Sequence, residues 1–264
     1  MRSMLTTTEA AALAAVAPST LKRWADRGLL PFIRTAGGHR RFDPAVVQRF
    51  VREQAGFEAA RASLLEGWIT TLTRGLRHEV DARLLEARFR LGAWYHVADE
   101  LGSVLQAMGR AWACGRLSIA REHAASECLA RALARMGDAL PSRVDAPRCL
   151  LACAGDDDHT LGLSLLELCL NELGWASVWL GRRTPVEEIV ASVETGEIAM
   201  VCLSASEASR STAELAEIVT RVGKTCAQEG VDLLLGGNGA WPADPPYGIR
   251  LTSFAAAHAR LATQ

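Results

Sequence analysis

Two residues that could form part of a metal-binding site follow an apolar run in the second half of the chain. After CLLACA come Asp157 and His159, with Gly162 three residues further on. An aspartate this close to a histidine can hydrogen-bond one imidazole nitrogen and raise the basicity of the other, as carboxylates do for metal-binding histidines. Gly162 lets a bulky ligand approach the backbone. The spacing therefore indicates a metal ligand beside a large bound group.

Small residues end two later apolar runs. Ser204 and Ser206 end VCLSAS, and Gly236 and Gly237 end LLLGG. From Pro147 onward, short apolar runs alternate with amphipathic segments, which is typical of a doubly wound parallel α/β sheet. Ligands of such sheets bind at the carboxyl ends of the strands, so these hydroxyls and glycines could line a slot for a flat heterocycle.

These motifs occur in the order and spacing of a known module. The Asp-x-His-x-x-Gly motif, the serines and the Gly-Gly pair resemble the cobalamin-binding domain shared by methionine synthase, base-off mutases and corrinoid proteins, with Ser206 in place of the usual Leu or Thr. The resemblance implies a flavodoxin-like fold in which His159 is the lower axial cobalt ligand. It also implies that the displaced dimethylbenzimidazole tail lies along Ser204 and the two glycines. A doubly wound domain with another ligand, or with none, is the alternative.

The first 54 residues are basic, although the whole chain has a formal net charge of -1. They hold nine basic and four acidic residues, which indicates a module for a polyanion or a solvated surface with chance clustering. TTTEAAALAAV predicts a short helix capped by a threonine, and TLKRWADRG predicts a second helix capped by Ser19 and ended by Gly28. With a turn at AGGHRR and a third helix opening at Asp43 and Pro44, the segment predicts a winged helix-turn-helix.

The second helix and the turn carry side chains that could contact DNA. Leu21 and Trp24 are predicted to face the small core and to turn their neighbours outward. The predicted DNA-contacting residues are Thr20, Lys22, Arg23, Arg34, His39, Arg40 and Arg41. A helix fits the major groove, and Lys and Arg bind phosphates or guanine edges. The stretch from Ser19 to Asp43 resembles the MerR family of DNA-binding modules, and a helical protein-interaction module is the alternative.

The middle of the chain, residues 55–142, repeats apolar side chains at helical spacing, which predicts a four-helix bundle. Eleven residues make about three turns, so Trp112 and His123 are predicted to share one helix face, about 16 Å apart or less if the helix breaks near Gly115. Core packing alone would explain Trp112, and surface solvation would explain Glu122 and His123.

Together the three segments resemble the CarH/LitR type of light-sensing transcription regulators. The predicted domains are residues 1–54, 55–142 and 147–264, and the resemblance implies a bundle that caps the upper face of adenosylcobalamin. Trp112 is then expected near the adenosyl group, with Glu122 and His123 beside it. The implied protein is a non-enzymatic repressor, tetrameric when adenosylcobalamin is bound in the dark. It binds double-stranded operator DNA and releases it when light cleaves the cobalt–carbon bond.

One position departs from this pattern. Light-sensing members often place a histidine directly after the tryptophan, where it takes the vacated cobalt position, whereas Ala113 follows Trp112 here. His123 or water is the candidate substitute. A light-insensitive corrinoid-sensing regulator is therefore an alternative function. A corrinoid carrier for methyl transfer is another, and it would not need residues 5–54.

Composition argues against other classes of protein. Seven cysteines without a CxxC pair favour reduced thiols in a cytoplasm over a disulfide framework. No apolar run reaches the roughly 18 residues of a membrane span. The first residues do not resemble a signal peptide. No nucleophile stands with an acid–base pair that would indicate an enzyme.

Overall fold

The computed structural model describes residues 4–141, 143 and 145–262. The chain divides into two compact units, Met1–Gly67 and Trp68–Gln264. Three limits of the predicted domains, at residues 1, 142 and 264, lie outside the described residues. Among the described helices, none is long and apolar enough to cross a membrane.

The first unit has two short helices, an antiparallel hairpin and the start of a long helix. These elements are α1 (Thr7–Leu13), α2 (Pro18–Asp26), β1 (Ile33–Arg34), β2 (Arg40–Arg41) and α3 (Pro44–Arg74). The predicted threonine cap of α1 is confirmed, because the Thr6 hydroxyl accepts the Glu9 amide at 3.3 Å and the Glu9 carboxylate accepts the Thr6 amide at 2.7 Å. The cap predicted for α2 at Ser19 is wrong. Pro18 takes the first helical position, where its missing N–H costs nothing, and Ala17 is the N-cap.

A small apolar core holds this unit together. Leu21, Leu30 and Phe42 are fully buried. Trp24 packs edge-on against Phe50, with ring centroids 5.1 Å apart. The inward face of α2 is therefore the predicted one, and its charged residues point away from the core.

The second unit opens with a bundle made of the last turns of α3 and three further helices, α4 (Arg77–Leu91), α5 (Trp94–Ala113) and α6 (Ile119–Asp138). At its centre Trp68 is 1% exposed, and its Nε1 donates to Glu100 at 2.8 Å. A continuous helix from Trp112 to His123 is not formed. The chain breaks at Gly115, whose φ of +73° ends α5, so the two residues lie on consecutive helices.

The rest of the second unit is a five-stranded parallel sheet between helices. Its strands are β3 (Arg148–Cys153), β4 (Ala176–Gly181), β5 (Met200–Ser204), β6 (Asp232–Gly236) and β7 (Ile249–Arg250). Its helices are α7 (Leu161–Glu172), α8 (Val186–Glu194), α9 (Thr212–Glu229) and α10 (Phe254–Leu261). The strand order β4-β3-β5-β6-β7 is the flavodoxin-like order, which confirms the predicted doubly wound fold.

Alternation along β3 fills both faces of the sheet. Leu150 and Ala152 belong to the core under α8 and α9, whereas Leu151 and Cys153 belong to the core under α7. The bundle packs on the α7 face, where α5 and α6 both contact α7. The Asp99 carboxylate of α5 also accepts the amide of Phe254 at 2.7 Å, at the start of α10. The bundle and the sheet are thus joined within one unit, and α7 follows directly from the loop that carries His159.

Candidate functional site

The loop after β3 places an exposed imidazole on a buried carboxylate. The Asp157 side chain is 1% exposed, whereas the His159 side chain is 65% exposed. Asp157 Oδ1 lies 2.8 Å from His159 Nδ1 and also accepts the His159 backbone amide at 2.9 Å. With Nδ1 engaged, Nε2 is the nitrogen that an outside ligand can reach. This is the arrangement of a metal-binding histidine whose ring is oriented by a carboxylate.

The loop after β5 completes the environment of Asp157. The Ser206 amide donates to Asp157 Oδ2 at 2.6 Å, and the Ser209 hydroxyl donates to the same oxygen at 2.7 Å. The Ser206 hydroxyl also lies 3.1 Å from His159 Nδ1. Ser206 therefore lies next to His159, and both were predicted as cofactor-site residues. Ser209 was missed, and its only signal in the sequence is a hydroxyl in the loop that follows the neighbouring strand.

The pKa values of Asp157 and His159 are shifted in opposite directions. Burial alone would raise the pKa of Asp157, but hydrogen bonds from His159, Ser209 and Ser206 outweigh it and hold that pKa well below its ordinary value. The hydrogen bond to Asp157 raises the pKa of His159, and the Glu122 charge adds to the rise. Burial raises the pKa of the nearby Cys153 thiol to about 12, so it stays protonated. Of these three side chains, the imidazole is thus the one best suited to bind a metal.

Glycines that follow β3 and β6 let the backbone approach the residues at the end of β5 closely. A Cβ on Gly162 would lie 3.6 Å from Ser204 Oγ, which puts these two predicted residues side by side. Gly237 has a φ of +82°, and a Cβ there would lie 2.2 Å from the Ala205 carbonyl oxygen. Gly239, which was not predicted as a site residue, is similar, because a Cβ there would lie 2.5 Å from the Ala205 Cβ. Gly236 is fixed by its carbonyl, which accepts Trp241 Nε1 at 2.8 Å.

The bundle residues lie at the turn between α5 and α6. Trp112 is 50% exposed and Ala113 ends α5. Glu122, in the first turn of α6, accepts the Ser126 hydroxyl at 2.7 Å and lies 3.2 Å from His123 Nδ1. The Glu122 charge is one of the causes of the raised pKa of His159. With half of its surface exposed, Trp112 is not explained by core packing alone.

The residues of this site fit a corrin ring. A metal bound in a macrocycle already has its equatorial ligands. The protein therefore needs to supply only one axial donor, and an imidazole with a free nitrogen suits that role. The glycine at position 162 leaves room at the backbone next to that imidazole. The half-exposed Trp112 offers a flat apolar surface at the turn of the bundle.

A polar cleft of about 470 Å³ lies in the first unit, between α2 and the β1–β2 hairpin. Four of the predicted DNA-contacting residues line it, namely Lys22, Arg34, His39 and Arg40. Lys22, Arg34 and His39 are exposed, but the Arg40 side chain is only 18% exposed. Among the other three, Arg23 is exposed on α2, and Thr20 and Arg41 are half-buried. The cleft can receive an anionic backbone, since exposed cations come from both the helix and the hairpin.

Two protein families match parts of the chain. Residues 4–55, which cover the first unit up to the middle of α3, match the family described as a helix-turn-helix domain. Residues 64–136, which run from α3 through α6, match the family described as a B12 binding domain. The second match falls on the bundle, so the helices that cap the sheet are themselves typical of B12-binding proteins.

Two curated proteins of Myxococcus xanthus are similar to this chain. It is 34% identical to the HTH-type transcriptional repressor CarA over 125 residues, which is 47% of this chain and 42% of CarA. The match therefore spans less than half of that protein. The chain is 28% identical to the HTH-type transcriptional repressor CarH over 268 aligned positions, covering 88% of each protein. Both are repressors and not enzymes, in agreement with the expectation of a non-enzymatic regulator.

A solved structure shares the fold of the second unit. The monomethylamine corrinoid protein of Methanosarcina barkeri aligns with a TM-score of 0.56 at 16% identity, over 76% of this chain and 97% of that one. At this identity the likeness concerns the fold alone. The two family matches and the two repressors together confirm the resemblance to CarH-type regulators.

Proposed function

We propose that this chain, which resembles CarH-type regulators and joins a helix-turn-helix domain to a B12 binding domain, is a cobalamin-dependent transcriptional repressor. The first unit binds double-stranded operator DNA, and the second unit holds the cofactor. The observation that carries the proposal is the exposed His159 held by the buried Asp157, in the same unit as the helices of the B12 family.

His159 is assigned as the lower axial ligand of cobalt, through Nε2, in a base-off arrangement. Asp157 fixes the tautomer and the orientation of the ring, because its carboxylate holds Nδ1. Ser209 and Ser206 in turn hold the carboxylate. Gly162, Ser204, Gly236 and Gly237 are assigned to the dimethylbenzimidazole tail, and these small residues let it approach the backbone.

Trp112, Glu122 and His123 are assigned to the upper side, where we propose that the cofactor is in the adenosyl form. Bound adenosylcobalamin supplies a cobalt–carbon bond that light can break. His123 is the chain's candidate to occupy the upper position afterwards, since its side chain is 75% exposed and Glu122 holds Nδ1. Trp112 contributes an apolar surface whose burial depends on the upper group.

Light then acts through assembly. A ligand shifts an equilibrium only by the difference in its affinity for two states, so the adenosyl group must stabilise one oligomeric state over the other. We propose a tetramer in the dark, in which several basic modules bind the same DNA. Once one module is bound, the others are held near the DNA at a high effective concentration, which raises the overall affinity. Loss of the adenosyl group lowers that gain, and the operator is released.

Absorption spectroscopy combined with gel filtration tests this proposal. Purified protein with adenosylcobalamin is expected to show a base-off, His-ligated spectrum, and H159Q is expected to lose the His ligation. Green light is expected to change the elution volume of the wild-type complex. An unchanged elution volume would reject the light switch, and identical spectra for wild type and H159Q would reject His159 as the ligand.

Ala113 favours a second candidate function, a corrinoid-sensing regulator that does not respond to light. The alanine ends α5 beside Trp112 and offers no ligand for cobalt. Comparison of adenosylcobalamin with methylcobalamin separates the two candidates. Equal effects of both cofactors on DNA binding, in the dark and after light, would favour the second.

A further inference from the structure

Arg40 of the hairpin is held by two contacts within the first unit. Its guanidinium donates to Asp26 Oδ1 at 2.5 Å, which links β2 to the last turn of α2. Its Cζ also lies over the Phe32 ring, 5.0 Å from the centroid. A guanidinium that both stacks on a ring and pairs with a carboxylate has lost most of its freedom to turn toward another anion.

The neighbouring cations of the cleft are arranged differently. Arg34 lies over the same Phe32 ring at 5.5 Å and donates to the Gly38 carbonyl, but it remains exposed. Lys22 and His39 are exposed as well. Asp26 lies on α2 four residues after Lys22, so the two share one face of the helix. A carboxylate therefore stands among the cations of a cleft that we assign to DNA.

We propose that Asp26 is a positioning residue for DNA recognition, which acts through Arg40 to fix the β1–β2 hairpin against α2 and does not itself contact DNA. The inference rests on the proposed DNA-binding function. Arg40, predicted from the sequence to contact DNA, is thereby assigned to the link between α2 and the hairpin. Lys22 and Arg34 are left as the cations of the cleft that meet the phosphates, with the His39 side chain beside them.

Simple electrostatics and positioning predict opposite results for one substitution. A carboxylate near a polyanion is repulsive, so its neutralisation should strengthen DNA binding if Asp26 has no other role. If Asp26 holds Arg40 and the hairpin, neutralisation should weaken binding instead. The loss of affinity should be larger for the selected duplex than for random DNA, because the register and orientation of the protein on the duplex determine its specificity.

The test uses the full chain with adenosylcobalamin in the dark. The probes are a 40-base-pair duplex selected by the wild type from a random library and an unselected duplex of the same composition. D26N is expected to bind the selected duplex about threefold to fivefold more weakly, the scale of a partly exposed ion pair. Its salt slope should stay as in the wild type. K22Q, which removes one phosphate contact per module, should reduce that slope by about 0.9 for each module bound to the duplex.

E53Q is the matched control, because Glu53 pairs with Arg49 at 3.9 Å on an exposed face of α3, outside the cleft. It should change affinity very little. R40Q and the double variant D26N/R40Q complete a cycle in which the double variant should bind no worse than R40Q. Thermal melts of each variant confirm that the module is folded, and Asp26 is 58% exposed, so D26N should fold.

Two results overturn the inference. D26N that binds the selected duplex as tightly as the wild type or more tightly shows that Asp26 positions nothing. If D26N lowers the affinity for the selected duplex as much in the R40Q background as in the wild type, Asp26 contacts DNA directly and does not act through Arg40. Failure of the wild type to select or bind any duplex defeats the proposed function itself, and is distinguished from both because it needs no variant.

Discussion

The carboxylate of Asp157, which is 1% exposed, lies 2.8 Å from Nδ1 of His159, whose side chain is 65% exposed. The buried member is fixed by Ser206 and Ser209 of the loop after β5, so the exposed member is held at one orientation. An imidazole held with Nε2 pointing outward is pre-organised to bind a metal. The hydrogen bond between Nδ1 and Asp157 raises the basicity of Nε2 and so its strength as a ligand.

Neutralising Asp157 should weaken cobalamin binding. We expect D157N to bind adenosylcobalamin roughly 10–100-fold more weakly, because the substitution removes the charge that supports His159 as a ligand. Titration followed by absorbance measures the affinity. D158N is the matched control, since Asp158 is adjacent but 41% exposed and pairs with Arg183. A loss of equal size in both variants would contradict the special role of Asp157.

The apo protein should show a raised pKa at His159. The hydrogen bond to Asp157 raises it above the ordinary value of 6.5. Because the pKa of Asp157 is lowered and that of His159 is raised, the stabilisation that this pair adds is present between the ordinary values of 3.8 and 6.5. It is lost as the pH rises through the higher folded-state pKa of His159, and it is lost in acid as Asp157 becomes protonated. NMR titration of the imidazole measures the shift, and D157N should return it toward the ordinary value. An unshifted His159 in the wild type would contradict the pairing.

Gly237 should tolerate no side chain. Its φ is +82°, and a Cβ would lie 2.2 Å from the backbone oxygen of Ala205. We expect G237A to lower the free energy of unfolding by roughly 3 kcal/mol, combining backbone strain with displacement of the β5 loop. G196A separates the two causes, because Gly196 has a φ of +74° but open space around its Cβ, and should cost about 1 kcal/mol. Urea denaturation of the apo proteins measures both free energies of unfolding. Equal decreases in G237A and G196A would exclude a role for the close contact with Ala205.

Trp112 should matter for the cofactor and not for the fold. The residue is 50% exposed, so W112A should leave the urea midpoint of the apo protein nearly unchanged. It should reduce the preference for adenosylcobalamin over hydroxocobalamin, measured as the ratio of the two Kd values. W179A is the control, since Trp179 is also exposed, at 41%, but lies on β4. A wild-type ratio in W112A would contradict the assignment.

The sequence was most informative where function depends on neighbours along the chain. Asp157 and His159 are two residues apart, so their hydrogen bond could be predicted from spacing after a strand. Ser209 could not, because it reaches Asp157 only through the pairing of β3 with β5. The Asp26–Arg40 ion pair likewise depends on how the hairpin folds back on α2. The position of His123 depended on whether the helix would continue past Gly115, where a positive φ ends it.

DNA binding measured with and without the cofactor tests the central claim most directly. Fluorescence anisotropy of the selected duplex is recorded for the apo protein, for the adenosylcobalamin complex in the dark and for the same sample after green light, with H159Q in parallel. We predict at least about tenfold tighter binding for the dark complex, since oligomeric assembly multiplies the contacts of single modules. Light should reverse that gain, and H159Q should not show it. Equal affinity in the presence and absence of cobalamin would contradict the claim that this chain couples cobalamin to DNA binding.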